Sequence, residues 1–310
     1  MEILYALAQL RTPVGDVLMS LITRLGEETI FMAVAIIIYW CRSKSAGYYL
    51  LTVGFLGTLA NQLLKMLCRI PRPWVLDPDF TIVESAREAA TGYSFPSGHT
   101  QSAAGLFGGL ARMSRRRWVQ VVLVLAVVLV AFSRMYLGVH TPWDVGVSLV
   151  IGAVLVLVLW PVMNRQTPRR MLWILAGMLG CSVAYLLFML YWQFPADTDA
   201  ANLASAIENG WKLTGATIGM LAACWLDQRY IRFETAAPLK VQLLKVIPGL
   251  LLLVALQAGL KAPLHQLIGH TGWADLIRYC LVVVFAGALW PLTFRRFARW
   301  GQKGEAHEAD

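Results

Sequence analysis

Long apolar segments recur from one end of this chain to the other. Nine of them could form membrane-spanning helices, at approximately residues 27–41, 46–67, 98–113, 118–137, 142–163, 171–193, 210–226, 243–260 and 275–294. A helix crosses the hydrocarbon core of a bilayer with about 20 mostly apolar residues. Hydrophobic residues make up 58% of the 310 residues and charged residues only 15%, whereas soluble domains hold about 45–50% and about 25%. The sequence therefore predicts an all-α integral membrane protein, a multi-span helical bundle of about nine spans.

The first 26 residues form a segment of a different kind. Thr12 and Pro13 are typical of the cap and the first residue of a helix. After them, apolar residues recur at helical spacing from Val14 to Leu25, with polar residues between them. This pattern predicts an amphipathic helix that lies in the membrane interface, and a broken additional span is the alternative.

Basic residues are distributed unevenly between alternate loops. One side of the predicted membrane holds 17 of the 27 lysines and arginines. They are Arg42, Lys44, Arg112, Arg115, Arg116, Arg117, Arg165, Arg169, Arg170, Arg229, Arg232, Lys240, Lys245, Arg295, Arg296, Arg299 and Lys303. Because loops rich in Lys and Arg stay in the cytoplasm, we expect a multi-pass protein of the cell (inner) membrane with its N-terminus outside. The same rule accounts for the net charge of +9 without nucleic acid as a partner.

Three polar motifs fall at the ends of predicted spans, all on the outer side. They are Lys65-x6-Arg72-Pro73 after the second span, Pro96-Ser97-Gly98-His99 at the start of the third, and Ser133-Arg134-x5-His140-x3-Asp144 between the fourth and fifth. The first two motifs are joined by an outer loop, residues 68–97. Loops of this length in compact proteins are uncommon and are usually functional or disordered.

Each motif also has a purely structural interpretation. Lys65 and Arg72 could extend from the membrane to the headgroups, and Ser97 could cap a helix. The segment from Thr141 to Asp144 could be one more helix start. None of these interpretations explains why two histidines, three cations and a carboxylate occur together on one membrane face. Polar groups that cluster in this way in a membrane protein favour a functional site.

The cations of these motifs suit a phosphate group. Lys65, Arg72 and Arg134 supply three positive charges, and a guanidinium binds phosphate with two parallel hydrogen bonds. The amides at the start of the third predicted helix add a second anion-binding feature. Gly98 lies there and has no side chain that would block the approach of a ligand.

The histidines and the carboxylate suit a covalent phosphoryl transfer. His140 lies just before a helix N-terminus, which disfavours the charged imidazolium and leaves a neutral nucleophile. Asp144 follows one turn later and can orient the imidazole ring. His99 remains as the acid that protonates the leaving oxygen. The residues thus predict phosphoryl transfer through a phosphohistidine, with no metal and no cofactor.

Together, the three motifs resemble the signature of the type 2 phosphatidic acid phosphatase superfamily. This superfamily includes lipid phosphate phosphatases, undecaprenyl pyrophosphate phosphatases, glucose-6-phosphatase and vanadium haloperoxidases. The resemblance covers roughly residues 12–163 and implies a helical-bundle catalytic core with His140 as nucleophile, Asp144 as its partner and His99 as general acid. It further implies that phosphate is bound by Lys65, Arg72, Ser97, Gly98, Ser133 and Arg134.

The C-terminal half carries no recognised motif. We therefore expect an N-terminal interfacial helix over 1–26, a catalytic phosphatase core over 27–163, and additional membrane spans of unassigned role over 164–310. The long layout is similar to that of glucose-6-phosphatase and sphingosine-phosphate phosphatases. In this half, Glu208 and Lys212 are expected to form an ion pair, and Arg278 to extend toward the headgroups. His265 and His270 are expected to be ordinary loop residues.

Three functions agree with these observations. The first is removal of phosphate from a lipid phosphate or pyrophosphate: undecaprenyl pyrophosphate, phosphatidic acid or phosphatidylglycerophosphate. The second is hydrolysis of a soluble phosphomonoester, and the third is transport of a lipid or an anion. A transporter built from repeats should show paired broken helices in two halves, and the sequence shows none. We therefore expect a membrane-embedded phosphatase whose partners are a lipid substrate and the bilayer.

Overall fold

Helices form nearly all of the regular structure in the part of the chain that the computed structural model describes, residues 1–164 and 167–297. No β-strand occurs within these two ranges. The α-helices are α1 (Glu2–Gln9), α2 (Pro13–Arg24), α3 (Glu28–Cys41), α4 (Lys44–Cys68), α5 (Pro73–Leu76), α6 (Gly98–Met113), α7 (Arg117–Tyr136), α8 (Pro142–Met163), α9 (Pro168–Tyr191), α10 (Ala200–Leu226), α11 (Leu239–Gly259), α12 (Lys261–Ile268) and α13 (Gly272–Val284). The predicted all-α class is therefore confirmed.

Six helical segments in the described ranges are long and apolar enough to cross a membrane. They are Lys44–Leu76, Arg117–Tyr136, Pro142–Met163, Pro168–Tyr191, Leu239–Ile268 and Gly272–Phe297. The other three predicted spans correspond to α3, α6 and α10. Helix α3 is apolar but has only 14 residues, which rise about 21 Å, and α6 has 16. Helix α10 has 27 residues, but Glu208, Asn209 and Lys212 make its first half polar. The number of nine crossings stays a prediction.

The N-terminal segment forms two helices and not the single helix predicted over residues 1–26. The break lies at Thr12, whose backbone is extended (φ −138°, ψ 153°) and whose side chain accepts a hydrogen bond from the Gly15 amide. A residue before proline favours this extended conformation, and Pro13 then begins α2 as the capping pattern predicts. Apolar side chains of α2 such as Val14 and Val17 are exposed, as a helix beside lipid requires.

One compact unit combines residues 1–34, 49–162 and 194–203. Within it, the outer loop is ordered by packing at both of its ends. Phe80 and Ile82 are buried with Leu4 of α1, while Ala86 and Ala90 pack against the buried residues that follow α7. This packing is what positions the loop backbone beside the motif residues.

A second unit combines residues 35–48, 163–164, 167–193 and 204–297 of the described chain. In it, α10 and α13 approach closely at Gly215 and Gly219, because a Cβ at either position would overlap the carbonyl of Leu276 or of Cys280. Small residues four apart allow such an approach between membrane helices. The boundaries of both units divide α3 and α4, so the units are discontinuous in sequence. The division into residues 1–26, 27–163 and 164–310 stays a prediction.

Candidate active site

The three predicted motifs converge within the first unit because helix starts and one tight turn place them there. Ser97 caps α6 and accepts a hydrogen bond from the Thr100 amide. At the start of α8, the Asp144 amide donates to the Thr141 hydroxyl (3.3 Å) and the Thr141 amide donates to the Asp144 carboxylate (2.7 Å). These are the reciprocal bonds of a capping box. The interpretation of Ser97 and Thr141 as helix caps is therefore confirmed. Each cap lies directly beside a residue that lines the cavity, Gly98 or His140.

The turn between α7 and α8 delivers His140 to the centre of the unit. Gly138 has a positive φ of +81°, a conformation that glycine adopts without strain. The amide of Val139 then donates to the carbonyl of Arg134 at 3.1 Å. His140 follows and is almost fully buried, with 1% of its surface exposed.

Contacts on both sides of the His140 ring fix its tautomer. Arg72 Nη1 lies 3.0 Å from His140 Nε2. Because a guanidinium can only donate hydrogen bonds, Nε2 must be the acceptor, and the ring proton must be on Nδ1. That nitrogen faces Asp144 Oδ2 at 3.4 Å and Ser94 Oγ at 3.5 Å. The lone pair of His140 is thus on Nε2, the atom that faces the cations.

Asp144 is held behind His140 by further hydrogen bonds. The Ser94 hydroxyl donates to Asp144 Oδ2 at 2.6 Å, in addition to the Thr141 amide. Both Ser94 and Asp144 are buried. A carboxylate with several donors keeps its position and can stabilise positive charge on a neighbouring imidazole.

His140 is neutral in this environment. Burial, reinforced by the positive charges of Arg72, Arg134 and Lys65, holds the pKa of the His140 imidazole well below its usual range. A neutral imidazole keeps the lone pair that a nucleophile needs.

Carbonyl groups of the outer loop and of the turn hold Arg72 in place. Its Nε donates to the Gly92 carbonyl at 3.0 Å, its Nη2 to the Thr91 carbonyl at 2.6 Å and its Nη1 to the Val139 carbonyl at 3.0 Å. Lys65 Nζ donates to the next loop carbonyl, that of Tyr93, at 2.6 Å. The long loop therefore orients two of the three predicted phosphate-binding cations.

Arg134 is the cation with unused donors. Its Nη1 donates to the Thr23 hydroxyl of α2 at 2.8 Å. Its Nε and Nη2 are buried and have no hydrogen-bond partner, and only 1% of the residue is exposed. Buried guanidinium donors without partners are costly, and an anion in the site would satisfy them.

A cavity of about 380 Å³ lies over these groups, within the range of small-molecule sites, about 300–1,000 Å³. It is lined by Gly26, Glu27, Glu28, Thr29, Thr58, Asn61, Gln62, Lys65, Arg72, Ala89, Thr91, Gly98, His99, Gln101, Ser102, Arg134 and His140. Six predicted site residues are therefore on its wall: Lys65, Arg72, Gly98, His99, Arg134 and His140. One end of the cavity is strongly cationic and contains the neutral imidazole.

Three predicted site residues are not on the cavity wall. Asp144 lies behind His140, as its expected role requires. The Ser97 hydroxyl accepts a hydrogen bond from the Thr100 hydroxyl at 3.0 Å. The Ser133 hydroxyl donates to the carbonyl of Val130 in its own helix at 2.7 Å. Phosphate binding by the Ser97 and Ser133 side chains stays a prediction.

Two polar contacts of the site were not predicted from the sequence. Ser94 lies two residues before the second motif, in a stretch with no periodicity, and Thr23 lies on the polar side of α2, far from any motif. Only the clustering of polar residues before Pro96 could have indicated the first, and no sequence signal indicates the second.

Other predicted polar residues form local pairs within the second unit. Lys212 and Glu208 form the expected ion pair at 2.6 Å. Arg278 is buried and pairs with Asp275 at 2.6 Å, so the prediction that it extends to the headgroups is wrong. His265 Nδ1 and His270 Nδ1 face each other at 2.6 Å. Within residues 1–164 and 167–297, no group of three or more His, Cys, Asp or Glu side chains could hold a metal ion.

Comparison with known proteins identifies two regions of the chain. Residues 43–168 match the PAP2 superfamily, and residues 211–303 match the transmembrane extension of PAP2 superfamily phosphatases. The first match contains all three motifs, and the second covers most of the C-terminal part in which the sequence shows no motif. None of the solved structures matches the chain.

Several curated proteins are similar to part of the chain. Undecaprenyl-diphosphatase BcrC of Bacillus subtilis is 32% identical over 114 residues, which are 37% of this chain and 56% of that protein. Lipid A 4'-phosphatase of Bacteroides thetaiotaomicron is 30% identical over 105 residues, 33% of this chain and 46% of that protein. Phosphatidylglycerophosphatase B of Bacillus subtilis is 29% identical over 153 residues, which are 44% of this chain and 69% of that protein. The chain spans about half the length of the first two relatives. With its three motifs assembled around one cavity and both regions matched, the chain belongs to the PAP2 superfamily.

Proposed function

We propose that this chain is an integral-membrane phosphatase that hydrolyses a lipid phosphate or pyrophosphate through a phosphohistidine intermediate. The observation that carries the proposal is His140 Nε2, a neutral nucleophile that faces Arg72 at 3.0 Å in a cavity where Arg134 has two free donors. The candidate substrates are undecaprenyl pyrophosphate, phosphatidic acid and phosphatidylglycerophosphate. The names of the similar proteins support this class of substrate.

In the first step, the phosphate group binds among Lys65, Arg72 and Arg134. It competes with His140 for the Arg72 guanidinium and so frees the Nε2 lone pair. Nε2 attacks phosphorus while the bond from phosphorus to the leaving oxygen breaks, and His99 gives its proton to that oxygen. The leaving oxygen is the alcohol oxygen of a monoester or the bridging oxygen of a pyrophosphate, which departs with the lipid monophosphate. The bound phosphate favours protonation of His99 beforehand, because it brings negative charge into a positive site.

In the second step, the intermediate is hydrolysed. His99, now neutral, takes a proton from water, and the water oxygen attacks phosphorus. The nitrogen–phosphorus bond breaks, its electron pair returns to His140 Nε2, and inorganic phosphate leaves. Asp144 stabilises the positive charge that the His140 ring carries between the two steps, and the three cations stabilise the charge on the transferring group.

We place the site on the extracytoplasmic face of the cell membrane. The basic residues of the alternate loops support this orientation by the positive-inside rule. The motif residues lie at the opposite ends of the same spans.

The test is phosphate release by the purified protein in detergent, measured against phospholipid phosphates, prenyl pyrophosphates and sugar phosphates. We expect release from the lipid substrates that persists in excess EDTA, because the cations supply the charge that a metal would bring, and inhibition by vanadate. His140→Ala should reduce release to background. Preference for sugar phosphates would favour the soluble-substrate alternative, while full activity of His140→Ala would rule out the covalent mechanism.

A further inference from the structure

The cavity extends well beyond its cationic end, along one face of α4. Thr58, Asn61, Gln62 and Lys65 all line it, at the spacing of residues that share a helix face. Thr58 precedes Lys65 by seven residues, which is about 10 Å along the helix. A phosphate bound at Lys65 therefore leaves the Thr58 end of the cavity for the group to which the phosphate is esterified.

The Thr58 end contains carboxylates and no cation. Glu28 Oε1 accepts a hydrogen bond from the Thr58 hydroxyl at 2.8 Å, and Glu27 lines the same cavity. The charge on the cavity wall thus changes sign, from positive at Lys65 to negative at Glu28.

Gln101 adds an acceptor with no partner. It lines the cavity from α6, only 4% of it is exposed, and its Oε1 is buried without a hydrogen bond. The side chain is fitted closely against α4, since a Cβ at Gly57 would lie 2.9 Å from its Nε2. A buried acceptor without a partner is costly, and a donor on a bound ligand would satisfy it.

From this arrangement we propose that the site selects lipid phosphates whose alcohol carries a hydrogen-bond donor, a hydroxyl or an ammonium group, close to the ester. Gln101 and Glu28 accept from that donor, and the carboxylates favour an ammonium because a charge-assisted hydrogen bond is the stronger one. The same carboxylates repel the second phosphate of a diphosphate. This inference rests on the proposed phosphatase function and narrows its substrate class.

Glutamates at a helix start also interact favourably with the helix dipole and so stabilise the helix. That role alone would explain Glu27 and Glu28. The two roles differ in what they affect. A structural role changes the stability of the protein and the turnover of all substrates alike, whereas contact with the alcohol changes the ratio between substrates.

The test uses three alkyl phosphates of one chain length, with hydrogen, hydroxyl or ammonium on the second carbon from the ester oxygen. We expect kcat/KM to rise in that order. Glu28→Gln should lower the ratio of the ammonium compound to the hydrogen compound by about tenfold. Glu88→Gln is the matched control, because Glu88 is exposed beside the lining residue Ala89 but does not line the cavity. In this control the ratio of the ammonium compound to the hydrogen compound should equal that of the unsubstituted protein.

A second ratio of kcat/KM values should change in the opposite direction in Glu28→Gln, and misfolding of the variant cannot cause such a rise. With one carboxylate neutralised, the ratio of a prenyl diphosphate to the plain alkyl phosphate should rise by about threefold. Equal kcat/KM for the three alkyl phosphates, or equal ratios in Glu28→Gln and the unsubstituted protein, would overturn this inference and leave the phosphatase proposal intact. Failure to hydrolyse any compound would instead contradict the proposed function itself.

Discussion

In the proposed mechanism, the residues around His140 act on two opposite sides of one imidazole ring. Arg72 contacts the Nε2 face, while Asp144 and Ser94 contact the Nδ1 face. In this proposal the first face meets the substrate, and the second fixes the proton and the ring plane. Substitutions on the two faces should therefore have different kinetic signatures.

His99 can be tested through the leaving group. If it protonates the departing oxygen, His99→Ala should lower kcat for an alkyl phosphate by about 10²–10⁴-fold and spare an aryl phosphate, whose oxygen leaves without a proton. The measurement is kcat for both substrates in the variant and the unsubstituted protein. Equal losses for both would indicate that His99 mainly binds phosphate.

Ser94 is a positioning residue that acts through Asp144. Ser94→Ala removes the 2.6 Å hydrogen bond to the carboxylate, so we expect kcat to fall about tenfold while KM stays the same, since Ser94 does not line the cavity. Ser94→Thr keeps the hydroxyl and should restore most of kcat. A change in KM with constant kcat, or no rescue by threonine, would contradict this role.

The turn from α7 to α8 brings His140 to the cavity. The turn depends on Gly138, whose φ is +81° and whose missing side chain leaves room for Arg11 Nη2, 2.6 Å from a Cβ at that position. Both the conformation and the close contact exclude an ordinary side chain.

Gly138→Ala should therefore lower the stability of the protein by about 1–2 kcal/mol and also lower kcat, because His140 would shift. Gly146→Ala in α8 is the matched control, since a Cβ there meets nothing within 4 Å and alanine favours a helix by up to about 1 kcal/mol. Thermal unfolding in detergent measures the stability of both variants. Equal Tm values for the two variants would show that the turn tolerates a side chain.

Local signals in the sequence account for most of the predicted elements. Thr12, Ser97 and Thr141 each begin a helix as their capping patterns indicate, because a cap depends on neighbours within four residues. Helix α1 was not predicted as a separate helix, because it begins without a side-chain cap. The contact of Ser94 with Asp144 joins residues 50 apart in sequence, and the contacts of Arg72 with the loop carbonyls join residues about 20 apart. Local patterns do not predict such contacts, and a carbonyl carries no sequence signal.

The orientation of the chain in the membrane decides which compartment the cavity faces. In a background without the five native cysteines, Ala200→Cys should react with an impermeant maleimide added to intact cells. Arg115→Cys should react only after the cells are opened. Both positions are exposed in the structure, so a difference reports the side of the membrane. The reverse labelling would place the site in the cytoplasm.

The hydrogen bond from Arg134 to Thr23 limits how far the chain can be shortened at its N-terminal end without changing the site. Residues 43–168, the range matched to the superfamily, contain all three motifs, yet Thr23 and the lining residues Gly26, Glu27 and Glu28 precede that region. A chain shortened to the family match would lose one wall of its cavity and the hydroxyl that Arg134 contacts. The region matched to the superfamily is thus shorter than the set of residues that form the cavity, which also includes residues at the end of α2 and the start of α3.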